Sequence, residues 1–170
     1  MLHYHLVFDV TRSGYRQWWF PAAGLIIVAV GLTWLGFRRG ARPSDGWWWR
    51  YQPYLYTGFA MCWVLAAFVG TYYDYRQLRG ALEAGHFQVV EGVVTNFRPV
   101  PPGLKGTECF EVSEHRYCYS DDIIIAGFNN KQSRGGPIKD GLHVRIADVR
   151  GQIARLEVAL PSPEGGAVQQ

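Results

Sequence analysis

Charge is absent from two stretches of this sequence. Residues 18–37 and 54–73 are each twenty residues long and contain no Asp, Glu, Lys or Arg. Acidic residues are scarce throughout the front of the chain, where only Asp9 and Asp45 precede Asp74. Cysteine is limited to Cys62, Cys109 and Cys118. That is too few for a disulfide-rich scaffold, and no CxxC pair is present to form a zinc or redox motif. The rest of the composition is unevenly divided. Residues 1–53 hold six Arg against two Asp, whereas residues 74–170 hold eleven Lys plus Arg against twelve Asp plus Glu. A nucleic-acid-binding domain needs a basic patch on its folded part. The basic excess here flanks the apolar runs instead, so nucleic acid is not an expected partner.

What is there begins with the two uncharged runs. A bilayer core of ~30 Å requires about 20 apolar residues of helix, so each run is long enough to span once. Between them lie Arg38, Arg39, Arg42 and Arg50. The flanks outside the pair carry two arginines each, Arg12 and Arg16 before, Arg76 and Arg79 after. Basic residues near span ends concentrate on the cytoplasmic side. The expectation is therefore a two-helix membrane hairpin with a cytoplasmic loop at residues 38–53 and both termini outside the cytoplasm. A signal peptide is disfavoured, because the first run is longer than an h-region and no small-residue cleavage site precedes the arginines. Trp18 and Trp19, and Trp47 to Trp49, suit interfacial aromatic belts.

Within the runs, Gly24 and Gly31 fall near one helical face, and Gly58, Cys62, Ala66 and Gly70 recur every four residues. Small side chains let membrane helices approach closely. A seam between the two helices of one chain is the simpler reading, and homodimerisation through the same stripe is the alternative.

The remainder reads as follows. Residues 1–17 alternate from Leu2 to Val10, which predicts a short strand. Residues 74–85 continue a helix out of the membrane, with Leu78 and Leu82 on one face and Gly85 as its stop. Residues 86–160 carry the signals of five strands, at 87–97, 109–112, 115–119, 142–149 and 152–160. No amphipathic helix lies among them, so the expectation is a small five-stranded barrel of SH3-like or OB-like type, which the N-terminal strand could extend. Residues 161–170 are tail-like by composition.

Cys109 and Cys118 flank a Ser113-Glu114 turn. If that turn has two residues, the cross-strand pairs are 112 with 115, 111 with 116, 110 with 117 and 109 with 118. The cysteines then face each other at a non-hydrogen-bonded position, within disulfide reach. The same register sets Glu111 opposite Arg116 and Phe110 opposite Tyr117. A disulfide requires an oxidising compartment, which agrees with the orientation drawn from the arginines.

Candidates for chemistry are weak. His3 and His5 share a strand face, but neither they nor His115 and His143 acquire a third metal ligand by spacing. Ser120, Asp121 and His115 could be assembled into a hydrolytic set, without any nucleophile-elbow pattern to support it. Gly135-Gly136-Pro137 lacks the lysine of a phosphate loop and reads as a turn. No cofactor motif is found. The segment Ile123, Ile124, Ile125, Ala126, Gly127, Phe128, Asn129, Asn130 joins apolar residues to turn chemistry. It is either an exposed contact loop or a buried core strand.

The strings FEVSEHRYCYSDD, AGFNN, GGPIKDGLHVRI and RLEV, together with VFDV and GYRQWWFP near the front, resemble a group of bacterial inner-membrane proteins. These have two spans followed by a small extracytoplasmic β-domain and no assigned activity. The resemblance implies a membrane-anchored, non-catalytic β-domain. The expected role is an interaction or scaffold module at the outer face of the inner membrane, with the lipid bilayer and an envelope protein as partners. The alternatives are an auxiliary subunit recognised through its helices, and an envelope enzyme.

Overall fold

The computed structural model describes residues 3–38 and 47–160. The chain divides into two compact units, Met1–Gly14 with Asp74–Gln170, and Tyr15–Tyr73.

In the second of these, a 3-10 turn at Arg16–Trp18 leads into α2, Trp19–Arg38, and the chain returns in α3, Trp47–Glu83. (α1 is the short turn Val10–Ser13.) Both long helices are long and apolar enough to cross a membrane. α3 starts earlier than expected, taking in residues 47–53 that the sequence places in the loop. Pro53 lies inside it. Proline removes one backbone bond there, and Thr57 Oγ1 donates to the Pro53 carbonyl at 2.7 Å. At its other end α3 stops as Gly85 predicts. Gly85 adopts φ +75°, a left-handed conformation that glycine takes without a Cβ penalty. Its N–H donates to the Leu82 carbonyl and that of His86 to the Ala81 carbonyl, closing the helix end.

Among its described residues the other unit holds seven strands: β1 His3–Asp9, β2 Gln88–Val93, β3 Thr95–Arg98, β4 Glu108–Val112, β5 His115–Tyr119, β6 His143–Val149 and β7 Gln152–Leu160. They form two antiparallel sheets, β1-β7-β6-β2 and β3-β4-β5. This corrects the expected five-stranded closed barrel. The expected strand at 87–97 breaks at Val94 and serves both sheets. Val94 N–H donates to the Leu142 carbonyl and its own carbonyl accepts from Gly141 N–H, both at 2.9 Å. Asn96, inside β3, takes φ +53° where the pairing of β3 with β4 shifts register. The N-terminal strand does join the unit, pairing with β7 from His3↔Leu160 to Asp9↔Arg155. Asp9 fixes that end: Oδ1 accepts from Thr11 N at 2.8 Å and Oδ2 from Arg155 Nε at 2.9 Å.

Strand alternation explains the core. On β4, Glu108, Phe110 and Val112 are buried while Cys109 and Glu111 face the other way. Tyr117 and Tyr119 of β5, Val144 and Ile146 of β6, and Ile153 and Leu156 of β7 join them. A run of edge-on and tilted aromatic contacts connects the sheets, from Phe8 to Phe128, Tyr119, Phe110 and Tyr117, with centroids 5.2–6.0 Å apart. Such pairs each add ~0.5–1.5 kcal/mol beyond the area they bury. Tyr75, Leu78 and Leu82 of α3 are also buried.

Candidate functional site

The β4–β5 hairpin has the register that its turn length predicts: Val112↔His115, Glu111↔Arg116, Phe110↔Tyr117 and Cys109↔Cys118. Ser113 and Glu114 take φ of +47° and +69°, the left-handed pair of a tight two-residue turn. Cys109 and Cys118 form a disulfide with Cα atoms 4.1 Å apart. Glu111 and Arg116 are opposite in register, yet the Glu111 carboxylate accepts from Asn96 Nδ2 at 2.7 Å rather than from the arginine. The turn also rests on β2, where Ser113 Oγ donates to the Glu91 carbonyl at 2.8 Å. Gly92 permits this approach, because a Cβ there would lie 2.5 Å from Ser113 Oγ.

The small residues of the two long helices do not share one role. A Cβ added at Gly24 would meet Val64 Cγ2 at 2.6 Å, and one at Gly31 would meet Thr57 Oγ1 at 2.5 Å. These two glycines hold α2 against α3. On α3 the seam is made by Thr57 and Ala60, both buried, and Val64. Gly58 and Gly70 have nothing within 4 Å of an added Cβ, and Cys62 and Ala66 are exposed. The structure thus places Gly24 and Gly31 on the seam and Gly58, Cys62, Ala66 and Gly70 off it. Arg38 ends α2 and Arg50 is exposed in the first turn of α3. Arg39 and Arg42 lie outside the described residues.

The Ile123–Asn130 segment is irregular rather than the core strand of one reading, and its apolar residues are divided between surface and core. Ile123 is 48% exposed, Ile124, Ile125, Asn129 and Asn130 are half-buried, and Ala126 and Phe128 are buried. Its backbone is tied down by Ala126 N–H donating to Asp74 Oδ2 at 3.1 Å and Phe128 N–H donating to the Ile153 carbonyl at 2.9 Å. Phe128 therefore contributes to the core and cannot serve as a contact side chain.

The residues considered for hydrolysis have separate partners. Ser120 Oγ donates to the Gly106 carbonyl, His115 Nδ1 lies 3.0 Å from the Ser113 carbonyl, and Asp121 pairs with Lys131 and Arg134. No group of three His, Cys, Asp or Glu side chains converges on a metal position among the described residues. Gly135 closes a 3-10 turn at Gln132–Arg134, and Gly136 packs against the backbone of Asn130 and Lys131 so closely that a Cβ would collide with it.

Sequence reasoning missed a buried polar cluster around Glu108. Glu108 is fully buried; Oε2 accepts from Tyr119 Oη and from Gln132 N, both at 2.9 Å, and Oε1 from Val100 N at 3.3 Å. Beside it, buried Lys131 forms an ion pair with Asp121 at 2.6 Å and donates to Asp122 at 2.8 Å. Those carboxylates, Asp121 first, raise the pKa of the Lys131 ammonium. Burial, and then Glu108, pushes the Tyr119 hydroxyl far above its ordinary value. The parity of Phe110 and Val112 was the available signal, since it places Glu108 on the inward face. Each of these side chains has a hydrogen-bond or ion-pair partner within the chain, so the cluster fastens loops together.

An open groove of about 1020 Å³ lies in the β unit. Its walls are residues 74–88 from Asp74 to Gln88, the start of β5, and the β6–β7 turn from Asp148 to Gln152. Tyr117 Oη and Gln152 Oε1 are buried at its edge without a hydrogen-bond partner. The Asp148 carboxylate is near enough to help burial raise the Tyr117 pKa, but its Oδ1 accepts from Gly151 N at 2.6 Å and no bond of ordinary geometry reaches the tyrosine. Arg116 and Arg150 line the groove and form no ion pair among the described residues. No protein-family model, curated protein or solved structure matches this chain, so its chemistry must be read from these side chains alone.

Proposed function

We propose that this chain is a membrane-anchored, non-catalytic interaction module. In this reading α2 and α3 cross the inner (plasma) membrane as a hairpin. The loop bearing Arg38, Arg39, Arg42 and Arg50 faces the cytoplasm, and the disulfide-bonded β unit stands outside with both termini. The observation that carries the reading is the outward surface of the helix pair. Ile26 and Phe59 are 68% and 73% exposed, with Leu25, Leu55, Leu65 and Val69 beyond half. A helix that is apolar all round must lie in a protein core or in lipid. Among the described residues of its own unit this pair has no such core. The charge count around the spans supports the orientation, and the Cys109–Cys118 disulfide suits the oxidising side.

A second reading makes the chain an auxiliary subunit of a larger membrane complex, recognised through its helices. The outward stripe of Gly58, Cys62, Ala66 and Gly70 favours it, because small residues left off the internal seam are available to another helix. Affinity purification from detergent-solubilised membranes separates the two readings. Under the first, partners co-purify equally with the wild type and with Ala66→Leu/Gly70→Leu. Loss of all partners in that double variant would replace the first reading with the second.

A further inference from the structure

We infer that the Cys109–Cys118 disulfide is a thiol–disulfide exchange site, opened by a partner dithiol that attacks Cys118 and releases Cys109. The inference goes beyond the interaction-module reading and does not depend on it. Placement in the sheet carries it first. The bridge runs from β4, the middle strand of its sheet, to β5, an edge strand. It lies on the outer face, because the neighbouring Phe110 and Tyr117 turn into the core. Cys118 is exposed and Cys109 half-buried. A thiolate attacks a disulfide sulfur in line with the bond it breaks. Beyond Cys118 lies the sheet edge, with which no strand pairs among the described residues. Beyond Cys109 lies β3, with Arg98 opposite it in register. Access therefore makes Cys118 the sulfur attacked and Cys109 the leaving group.

The charges around Cys109 favour the same direction. A recess of about 130 Å³ is lined by Cys109 together with Arg98, Arg116, Glu111 and Asn96. Neither arginine forms an ion pair among the described residues. Glu111 keeps its charge while accepting from Asn96 Nδ2, so two guanidiniums and one carboxylate leave the recess with one net positive charge. Positive charge beside a sulfur stabilises its thiolate, and a stabilised thiolate leaves faster. In the first step a thiolate of the dithiol bonds to Cys118 Sγ, and the Cys109–Cys118 bond breaks with its electron pair passing to Cys109 Sγ. The second thiolate of the reductant then displaces Cys118 Sγ. The dithiol gives up two electrons and two protons and becomes a disulfide; the chain takes them up as two thiols. Cys118 is reachable in the folded chain, so neither step requires the hairpin to open.

The test uses the full chain in detergent with Cys62→Ala, which leaves Cys109 and Cys118 as its only cysteines. Glutathione is the monothiol probe and dithiothreitol the dithiol. After a short glutathione pulse quenched with N-ethylmaleimide, peptide mass mapping should find glutathione on Cys118 and maleimide on Cys109. The rate of reduction by dithiothreitol should not change with urea below the unfolding transition of the β unit. Arg98→Gln/Arg116→Gln should slow that rate about three- to tenfold, and Glu111→Gln should speed it about two- to threefold. Pulse proteolysis checks that each variant is folded; should the arginine pair fail to fold, the Glu111→Gln rate and the site of the glutathione adduct decide. A bridge that is only structural reacts when the hairpin opens, and its rate climbs with urea in step with unfolding. That result overturns the proposal. Glutathione on Cys109, or charge variants that leave the rate unmoved or shift it in one common direction, overturns it equally.

Discussion

Removing the carboxylate of Glu108 should be the most costly polar substitution in the β unit. Glu108 is fully buried and accepts three hydrogen bonds, from Tyr119 Oη, Gln132 N and Val100 N. Glu108→Ala leaves all three donors without a partner and opens a void. A buried donor stripped of its acceptor costs ~1–3 kcal/mol. The Val100 bond is long, at 3.3 Å, and belongs at the bottom of that range. The sum is a loss of about 3–7 kcal/mol. Glu108→Gln keeps one oxygen and can hold the Tyr119 and Gln132 donors, so only the Val100 contact turns repulsive; about 1–2 kcal/mol is expected. In a Tyr119→Phe background the cost of Glu108→Ala should shrink by about 1–2 kcal/mol, since one donor is no longer orphaned. All seven tryptophans lie from Trp18 to Trp63, and so report on the helices. Pulse proteolysis across a urea series on the full chain in detergent reads the β unit instead. A Glu108→Ala cost below about 1 kcal/mol, or one unchanged by Tyr119→Phe, refutes the assignment of this cluster as the fastener of the loops.

Other predictions follow from the same geometry. Cys109→Ala/Cys118→Ala should cost about 2.5–3 kcal/mol, the chain entropy of the roughly ten-residue loop the bridge closes; a urea midpoint equal to wild type contradicts it. Gly24→Leu and Gly31→Leu should lower the stability of the helix pair by about 1–3 kcal/mol through overpacking against Val64 and Thr57. Trp63 adjoins Gly24, so its fluorescence in an SDS titration reports this. Gly58→Leu should leave the transition in place, and an equal loss there shows that the seam is misassigned. Tyr117 and Tyr119 both have raised pKa values, so the fold favours the neutral phenols. Their contribution is complete below the ordinary value of 10.0 and is lost as pH rises above it, once the unfolded chain ionises. Lys131, also raised, acts in the same direction. Urea midpoints should fall from about pH 9 to about pH 11, and Tyr117→Phe/Tyr119→Phe should flatten part of that fall; an unchanged slope in the double variant refutes the tyrosine contribution.

Legibility in the sequence depended on whether the signal was local. The β4–β5 register and its disulfide follow from a two-residue turn, because a turn of fixed length sets every pair beyond it. The two long helices and the Gly85 stop are equally local. The break at Val94 was not legible. Gly92 is the one breaker in residues 87–97 and does not mark the position; what ends the strand is a pair of backbone bonds to Gly141 and Leu142, far along the chain. That single long-range contact turns an expected barrel into two sheets. A four-residue spacing likewise identifies a helix face without saying what it faces. Thr57, Ala60 and Val64 interleave with Gly58, Cys62 and Ala66, and only packing against Gly24 and Gly31 tells the two faces apart. The groove beside β5 had no sequence signal at all, since its walls come from three separated segments.

The central claim is that the β unit and the arginine loop lie on opposite sides of a membrane. Paired reporter fusions after Gln170 test it most directly, one reporter active only in the periplasm and one only in the cytoplasm. The account predicts activity from the periplasmic reporter after Gln170, and from the cytoplasmic one when the same pair is inserted in the loop after Gly46. A cytoplasmic signal after Gln170 would contradict the topology and remove the oxidising setting assigned to Cys109 and Cys118.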